Sequence, residues 1–515
     1  MMKSRRNLIA ACIFVVTLFL FLFPPGEDFS YRAHPPPPPP QAPQSKTQQQ
    51  TQSQAQQPKN PADASDNGAI SPFGDFSVTD RPMMPAHDPL CAQLPGRTAS
   101  IVLIVKTGAT ESFSKIPTQL QTILRCVPDL LLFSDMEQTI AGAHVRDSLD
   151  TVLPEVKNHS DFNLYHAQKQ CLVSQADCTR HRDKGKEGWN MDKYKNIHIA
   201  EKAYNLRPGR DWYVVIDADT YLFWTTLVSF LGRLDPSRKL LLGSIAHYKD
   251  FPFAHGGSGY IMSRGAMDAF VGENPGIGNA YDQRVTQECC GDWMFSKAMQ
   301  ETSGIPVTQA FPTINGDKIW SVPFGPTHWC HPLATMHHVD SEEMSLFWEF
   351  EVKWYLKHKS SSSTEVKPVL LRDMYLEYFL PKADDQREDW NNISEDFIYL
   401  TRAPTDDEKG RMVPDDKQSK FERLAPTSLE NCKLACEKKS ECFQYAYWGD
   451  GKCALSKSFK IGYPTNHEED PARRQTAGWL IDRIKTWVAK QGGCSNPTWP
   501  NTEGGNRKKS FFGGL

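Results

Sequence analysis

The stretch WYVVIDADTYL, which runs from Trp212 to Leu222, decides the fold of this chain. Its first half is apolar and β-branched, which is typical of a buried strand. The strand pattern ends in two carboxylates one residue apart, Asp217 and Asp219. Open α/β sheets bind ligands beyond the carboxyl ends of their strands, and paired carboxylates there can hold Mg²⁺ or Mn²⁺, which in turn binds a diphosphate. Aspartate is also common in turns, so a polar turn without a metal is the alternative.

Further segments with regular patterns lie on both sides of this strand. Three of them read as buried strands and one as a helix: Ser100–Gly108 (SIVLIVKTG), Asp129–Asp135 (DLLLFSD), Gly256–Ser263 (GGSGYIMS) and the helical Trp189–Tyr204. Apolar strands that alternate with helices predict a mostly parallel sheet that is covered on both faces. We therefore expect an α/β domain of the nucleotide-binding type over residues 97–355.

The N-terminus carries the pattern of a membrane anchor. Basic residues within 1–7 precede an uninterrupted apolar run over 8–23, and acidic residues follow it. This polarity predicts a cytoplasmic N-terminus and a lumenal body. The run is short for a membrane-spanning helix and long for the core of a signal peptide, but no small-residue cleavage site follows closely, so a signal anchor is favoured over a cleaved signal peptide. Residues 24–96, which include a Pro- and Gln-rich stretch, predict a disordered stem.

The composition fits a globular body in an oxidising compartment. Of the thirteen cysteines, Cys12 lies in the apolar run, which leaves an even number for disulfides. A net charge of −3 argues against a general nucleic-acid binder, and we expect no nucleic-acid partner. Two sequons, at Asn158 and Asn392, are possible glycosylation sites.

A second module is expected near the C-terminus, over residues 427–485. Four cysteines fall close together in it: Cys432, Cys436, Cys442 and Cys453. Such density predicts a small fold held by disulfides, with a structural zinc site as the alternative, although no paired C-x-x-C is present. The pairing cannot be deduced from the spacing. Residues 356–426 are charged and rich in Ser and Asp, so we expect them to form a poorly packed connector. We expect residues 486–515 to form a tail.

Five segments occur in an order that is typical of one enzyme family. They are LLLFSD (130–135), VVIDADTYL (214–222), GGSGYIMSRGAM (256–267), GDWMFSKAM (291–299) and MHHVD (336–340). With the anchor and stem in front, the chain resembles the glycosyltransferase family 31 enzymes of Fringe and core-1 galactosyltransferase type, and most of all the fungal branch with a C-terminal PAN/Apple-like module. The resemblance implies a GT-A fold, a UDP-sugar donor, a divalent cation (usually Mn²⁺), inversion at the anomeric carbon, and a single-pass type II protein of the Golgi or ER membrane.

The resemblance also implies a metal site. Asp219 matches the family's direct metal ligand, and Asp217 is expected to support the metal or the donor. Either His337 or His338 matches the metal-binding histidine near the end of the domain, with His337 the better match. Imidazole together with carboxylate and phosphate oxygens suits Mn²⁺. A merely structural role is the alternative for these histidines.

The catalytic base is expected at Asp292, which matches the family's acidic position at the start of a helix. There it would take the proton from the acceptor hydroxyl. The family usually has two acidic residues at this point, whereas Gly291 precedes Asp292 here. Because aspartate often caps helices, a purely structural role is the alternative.

Other positions match residues around the donor. Asp135 matches the residue near the uridine or ribose, and Thr107 and Gly108 lie where the family contacts the nucleotide. Gly257 in the GGSGY run lets the backbone approach a sugar, a tight strand entry being the alternative. Trp189 is expected to pack in an amphipathic helix, although it could face the donor or acceptor.

The expected function is therefore transfer of a hexose or N-acetylhexosamine from a UDP-sugar to a glycan or glycoprotein hydroxyl, β-1,3 being the family habit. Likeness to PAN/Apple domains implies the disulfides Cys436–Cys442 and Cys432–Cys453, and possible recruitment of the acceptor. One alternative is a catalytically inactive, carbohydrate-binding membrane protein. The other alternative is a haloacid-dehalogenase-type phosphatase, but the motif of those enzymes has Thr or Val at the position where this chain has Tyr221.

Overall fold

The computed structural model describes residues 90–95, 100–359 and 366–502. These residues all belong to one compact unit, Ser71–Leu515. No helix within the described ranges is long and apolar enough to cross a membrane.

The predicted cytoplasmic tail, the anchor at 8–23 and nearly all of the stem lie outside the described residues. The signal anchor and the stem therefore stay predictions.

An eight-stranded sheet forms the centre of the N-terminal part. Its strands are β1 (Ile101–Lys106), β2 (Leu130–Ser134), β3 (Gln138–Ile140), β4 (Ala143–Asp147), β5 (Trp212–Asp217), β6 (Leu241–Gly243), β7 (Tyr260–Ser263) and β8 (Val307–Gln309). Their order in the sheet is β8-β6-β7-β5-β1-β2-β4-β3. Strand β1 runs parallel to β2 and β5, β4 parallel to β2, and β8 parallel to β6. Strand β7 is antiparallel to both its neighbours and β3 to β4, so the sheet is mixed and mostly parallel.

Both faces of this sheet are covered, as the sequence predicts. In β1, Ile101, Leu103 and Val105 belong to one hydrophobic cluster, and Val102 and Ile104 belong to another. Successive side chains of a strand point to opposite faces, so the continuous apolar run of β1 is buried on both sides.

Helices form the layers on the two faces. Five of them recur below: α1 (Ser112–Gln121), α2 (Lys184–Asp192), α3 (Lys195–Leu206), α4 (Gly291–Ser303) and α5 (Ser341–His358). The other α-helices of this part are Pro154–Lys157, Asn163–Lys169, Gln175–Cys178, Trp224–Leu231, Arg264–Met267 and Ile277–Val285. The segment predicted as one helix, Trp189–Tyr204, is divided between α2 and α3, because the chain turns at Lys193 and Tyr194.

Two pairs of short strands lie beside the central sheet. Tyr221–Leu222 pairs with Thr335–Met336, and Ile245–Tyr248 pairs with Phe251–Ala254. The first pair brings a segment from the end of the domain next to the Asp-x-Asp turn.

The C-terminal part is a five-stranded antiparallel sheet with a helix on it. The strands are β9 (Gln386–Glu388), β10 (Phe397–Leu400), β11 (Gln444–Trp448), β12 (Lys452–Ser456) and β13 (Gln475–Trp479), in the order β9-β13-β11-β12-β10. The helix is α6 (Leu429–Lys438). The remaining elements are the helices Leu371–Met374, Asp406–Lys409, Lys420–Leu424 and Ile481–Gln491 and the paired strands Trp390–Asn391 and Tyr463–Pro464.

The four clustered cysteines form the disulfides Cys432–Cys453 and Cys436–Cys442. This pairing confirms the one implied by the PAN/Apple likeness, and the zinc alternative is wrong because the thiols are used up. Four further disulfides bring all the cysteines except Cys12 into pairs: Cys91–Cys126, Cys171–Cys178, Cys289–Cys290 and Cys330–Cys494.

Within the predicted connector, 356–426, the described residues 366–426 are not poorly packed. Strands β9 and β10 of the C-terminal sheet come from it, so the second module begins well before residue 427. Val369, Leu371 and Tyr375 are buried in the same hydrophobic cluster as the core of the N-terminal part. The charged composition misled the prediction because it hides a minority of apolar residues, Val369, Leu371 and Tyr375 among them, that are buried.

The predicted tail, 486–515, is also ordered in its first half. Cys494 forms a disulfide with Cys330, and the Trp499 ring stacks on Phe230 with their centroids 5.6 Å apart. Residues 503–515 lie outside the described part of the chain.

The two sequons have different surroundings. Asn158 is exposed, whereas Asn392 is fully buried and donates hydrogen bonds to the carbonyl oxygens of Tyr445 (3.0 Å) and Gly478 (3.2 Å). Asn392 is therefore a structural residue of the C-terminal sheet, and a glycan has no room there.

Candidate active site

The site begins where β1 and β5 end side by side. The parallel register pairs Lys106 with Asp217, so both side chains reach the carboxyl edge of the sheet together. Lys106 Nζ lies 3.3 Å from Asp217 Oδ1 and 2.6 Å from Asp192 Oδ2. Burial alone would lower the pKa of Lys106, but the two carboxylates outweigh it and raise that pKa well above its ordinary value. Lys106 is thus a fixed positive charge at this edge.

Asp217 is a buried carboxylate that lacks a full set of partners. Its Oδ1 is shielded from solvent, and its 3.3 Å contact with Lys106 Nζ is an ion pair without hydrogen-bond geometry. Burial raises the pKa of Asp217 to about 6, with Asp192 and Asp219 adding to the effect against the pull of Lys106. Buried carboxylate oxygens are normally hydrogen-bonded or bound to a cation. Beside its ion pair with Lys106, this oxygen keeps lone pairs that fit a metal or a donor group.

Asp219 forms a cluster with two histidines. The backbone N–H of Val339 donates to Asp219 O (2.8 Å), which holds the histidine segment against the Asp-x-Asp turn. Asp219 Oδ1 lies 3.4 Å from His337 Nδ1, and Oδ2 lies 3.7 Å from His338 Nδ1. The possible ligand atoms of the three residues all lie within 4.8 Å of one another. One carboxylate and two imidazoles form a donor set that suits Mn²⁺ or another transition metal.

His337 is held in place from two sides. The hydroxyl of Thr220 donates to Gly257 O (2.7 Å) and lies 3.1 Å from His337 Nδ1. A Cβ on Gly257 would clash with Nε2 of this ring and lie 2.6 Å from its Cδ2, so Gly257 makes room for the imidazole. Burial lowers the pKa of His337 to about 3, although Asp219 opposes this. The ring is therefore neutral at physiological pH, which is the form that binds a metal.

His338 has an unusual backbone conformation. Its φ of 57° lies in the left-handed region, which few residues other than glycine adopt. Its side chain is exposed, and its ring centroid lies 3.9 Å from that of His337. Strained backbone of this kind clusters at functional sites.

An ammonium group also faces Asp219. Lys115 Nζ on α1 lies 3.1 Å from Asp219 Oδ2 and 2.8 Å from Glu111 Oε2. Burial would raise the pKa of Asp219, but the charge of Lys115 and its hydrogen bond to Oδ2 act against burial, and that pKa is lowered. Asp219 is therefore ionised, as a metal ligand must be.

Asp292 lies in the first turn of α4 and faces the same cavity. Its Oδ2 accepts a hydrogen bond from the backbone N–H of Gly256 (2.7 Å), and its Oδ1 accepts one from Trp293 N–H (2.8 Å). A Cβ on Gly291 would lie 2.6 Å from Asn196 Nδ2 and 2.9 Å from Lys193 Cα. The glycine that replaces the family's second acidic residue is thus required by close packing of α4 on the turn between α2 and α3.

These residues line one cavity of about 420 Å³. Seven of the eight predicted site residues contribute to its wall: Thr107, Gly108, Asp217, Asp219, Gly257, Asp292 and His337. Residues that lie far apart along the chain, and that the sequence predicted to share one site, therefore line the same cavity.

Asp135 is the predicted site residue that does not line this cavity. It is only 1% exposed, and its Oδ1 accepts a hydrogen bond from Ala109 N–H (2.6 Å). Lys195 Nζ lies 3.5 Å from the same oxygen and donates to Thr107 O (2.9 Å). Asp135 thus positions the loop that follows β1, and direct contact with a nucleotide is not favoured by this geometry.

Several residues of the cavity were missed by sequence reasoning. They are Lys106, Lys115, Asp192 and His255, together with the disulfide-bonded pair Cys289–Cys290. Lys106 offered a signal, because a lysine at the end of an otherwise apolar strand needs a charged partner. Lys115 offered none, since 104 residues separate it from Asp219.

The family comparison agrees with this site. Residues 99–292 match the family model described as Fringe-like. Residues 99–292 form a Fringe-like domain, a family that implies a glycosyltransferase. The match confirms the resemblance to family 31, and the mixed sheet of the domain fits the GT-A fold. The matched region contains the Asp-x-Asp motif and ends at Asp292. His337, His338 and the C-terminal sheet lie beyond it. A comparison with curated proteins finds no match, and the PAN/Apple likeness stays a prediction.

Proposed function

We propose that this chain is an inverting, metal-dependent transferase that moves a hexose or N-acetylhexosamine from a UDP-sugar to a hydroxyl of a glycan or glycoprotein. A β-1,3 linkage and a single-pass anchor in the Golgi or ER membrane, with the catalytic body in the lumen, are part of the proposal. The observation that carries it is the grouping, in one cavity, of Asp217, the cluster of Asp219 with the two histidines, and Asp292.

The residues at the sheet edge fit a divalent cation, Mn²⁺ above all. Asp219 and His337 would hold it, His338 lies within reach, and Asp217 would support it or the donor. When bound there, the cation supplies a Lewis acid that neutralises the charge growing on the leaving diphosphate. The ammonium group of Lys115 adds positive charge on the same side of the cavity.

Asp292 is proposed to take the proton from the acceptor hydroxyl at a carboxylate oxygen. Each of its oxygens accepts one backbone N–H, which fixes the carboxylate and leaves further lone pairs for the acceptor. Inversion requires this base on the face of the sugar opposite the leaving diphosphate.

One observation favours a second candidate, an inactive carbohydrate-binding protein. The hydrogen bond that Asp292 accepts from Gly256 N–H also ties the Gly256 loop to α4, which is a purely structural task. The Fringe-like match gives no support to the phosphatase alternative.

The test is a pair of variants in the full chain, studied with Mn²⁺ and a panel of UDP-galactose, UDP-glucose and UDP-N-acetylglucosamine. Asp219→Ala should abolish Mn²⁺-dependent UDP binding in calorimetry, because it removes the central ligand. Asp292→Asn should keep UDP affinity and lower transfer by about 10²–10⁴-fold, as expected for a lost general base.

If Asp292→Asn loses UDP affinity as severely as Asp219→Ala, the division of roles is wrong. A wild-type chain that binds no Mn²⁺ and neither hydrolyses nor transfers from any of the UDP-sugars is the inactive binder.

A further inference from the structure

An exposed tryptophan stands at the cavity. Trp189 lies on α2, is 57% exposed and lines the cavity wall. The only buried residue of α2 is Met191, so the indole does not hold the helix to the core. The expected role of Trp189 in amphipathic packing is therefore wrong, and a large apolar ring in water at a cavity marks a binding surface.

Two glycines, Gly185 and Gly188, precede this tryptophan on the same helix. A Cβ on Gly188 would meet nothing within 4 Å, and one on Gly185 would meet only Asp183 Oδ1 at 3.7 Å. Glycine inside a helix is less stable than alanine, and packing requires neither of these two. Side chains in helices lean toward the preceding turn, so the indole leans over Gly185. The helix surface beside the indole is therefore flat, because the two glycines carry no side chains. Both glycines also line the cavity.

Trp189 and the proposed base, Asp292, line the same cavity. Trp189 precedes Lys193 by four residues, about 6 Å along the helix axis, and Lys193 Cα would lie 2.9 Å from a Cβ on Gly291. Gly291 directly precedes Asp292. The side chains of Asp217 and Asp219 are 23% and 18% exposed, so they lie deeper than the indole.

We propose that Trp189 is the stacking platform of the acceptor. The C–H face of a hexopyranose lies on the indole, whose electron-rich face attracts polarised C–H groups, and Gly185 and Gly188 leave room for its edge. One of its hydroxyls then lies beside Asp292. The inference rests on the proposed function and names its acceptor class: a sugar residue of a glycan, not a bare serine or threonine of a peptide.

The test compares Trp189→Ala, Trp189→Phe and Phe113→Ala in the full chain with Mn²⁺. Phe113 is the matched control, because it is 61% exposed on α1 and does not line the cavity. The probes are methyl glycosides of galactose, glucose, mannose and N-acetylgalactosamine, and a threonine-containing peptide. Binding in the presence of UDP is followed by saturation-transfer NMR, and transfer by product formation.

At least one methyl glycoside should receive saturation at its ring C–H protons and act as acceptor for the wild-type chain. Trp189→Ala should raise the KM for that glycoside about tenfold or more, with a far smaller change in the KM for the UDP-sugar in hydrolysis. Trp189→Phe should restore most of the loss, and Phe113→Ala should behave as wild type.

The proposal is overturned if Trp189→Ala uses the glycosides as well as wild type does, if only the peptide is bound or glycosylated, or if the loss falls on the KM for the UDP-sugar, which would place the nucleotide on the indole. A wild-type chain without any UDP binding or hydrolysis is a different result, since it removes the proposed function itself.

Discussion

The contact between Gly257 and His337 shows how one missing side chain shapes the candidate metal site. The ring of His337 occupies the space that a Cβ on Gly257 would take. The sequence indicated a close approach at Gly257, but it assigned the space to a sugar, because the partner histidine follows 80 residues later in the chain.

Gly257→Ala should displace the imidazole and weaken Mn²⁺ binding by about 10–100-fold, the usual effect of disturbing residues that orient a metal ligand. The measurement is an Mn²⁺ titration by calorimetry. Gly410→Ala is the control, because a Cβ there would meet nothing within 4 Å. Unchanged Mn²⁺ affinity in Gly257→Ala would remove His337 from the ligand set.

Glu351 is a second residue whose surroundings have a measurable effect. It is buried and accepts hydrogen bonds from Tyr221 Oη (2.8 Å) and from the backbone N–H and hydroxyl of Thr225 (both 3.0 Å). Burial raises the pKa of Glu351 to about 7, against the effect of these hydrogen bonds.

Between the unfolded pKa of Glu351 and its folded pKa, the folded state binds a proton that the unfolded state does not. Stability from this group is therefore fully present below about pH 4.5 and is lost as the pH rises to about 7. Guanidinium unfolding should show the wild-type free energy of unfolding falling relative to that of Glu351→Gln between about pH 5 and pH 8, by on the order of 3 kcal/mol. Parallel curves for the two proteins would contradict the raised pKa.

At the scale of elements, α2 and α4 each carry a glycine, but only the glycine of α2 has space for a side chain. A side chain on Gly188 of α2 meets open space, whereas one on Gly291 of α4 meets Asn196 and the backbone of Lys193. Gly188→Ala should therefore stabilise the protein by up to about 1 kcal/mol through helix propensity, and Gly291→Ala should destabilise it. Chemical denaturation of the two variants checks both signs, and a loss of stability in Gly188→Ala would mean that the space beside Trp189 is not open.

The strands were the most predictable elements, because buried runs such as Val102–Val105 leave little choice of structure. The division between α2 and α3 was not visible, since the apolar spacing continues through Lys193 and Tyr194. Within the site, Asp217, Asp219, Asp292 and His337 were predictable because they lie in short motifs. The lysines were not, because only the folded sheet shows which ammonium group meets which carboxylate. For Trp189 the sequence favoured packing over contact with the donor or acceptor, because periodicity does not tell which face of a helix meets another element; the side chain is exposed.

On the scale of the whole molecule, Cys330–Cys494 joins the two parts of the structure. It closes a loop with a sequence separation of 164 residues, whereas Cys171–Cys178 spans 7. A disulfide stabilises mainly by restricting the unfolded chain, so the longer loop should matter more. Replacing both cysteines of the first pair by serine should cost about 5 kcal/mol, against about 2.5 kcal/mol for the second. Thermal unfolding followed by tryptophan fluorescence compares them, and equal losses would show that the C-terminal part adds no long-range constraint.

The buried sequon at Asn392 has a consequence for biosynthesis. Its amide is one of the groups that hold β11 and β13 together, and these strands are completed only when residues up to 479 have been made. An oligosaccharide transferred to the nascent chain before that moment would occupy the interior of the unfinished module and block its closure. If the body lies in the lumen, as proposed, chains modified there would fail to fold, so the sheet has to close before Asn392 is glycosylated.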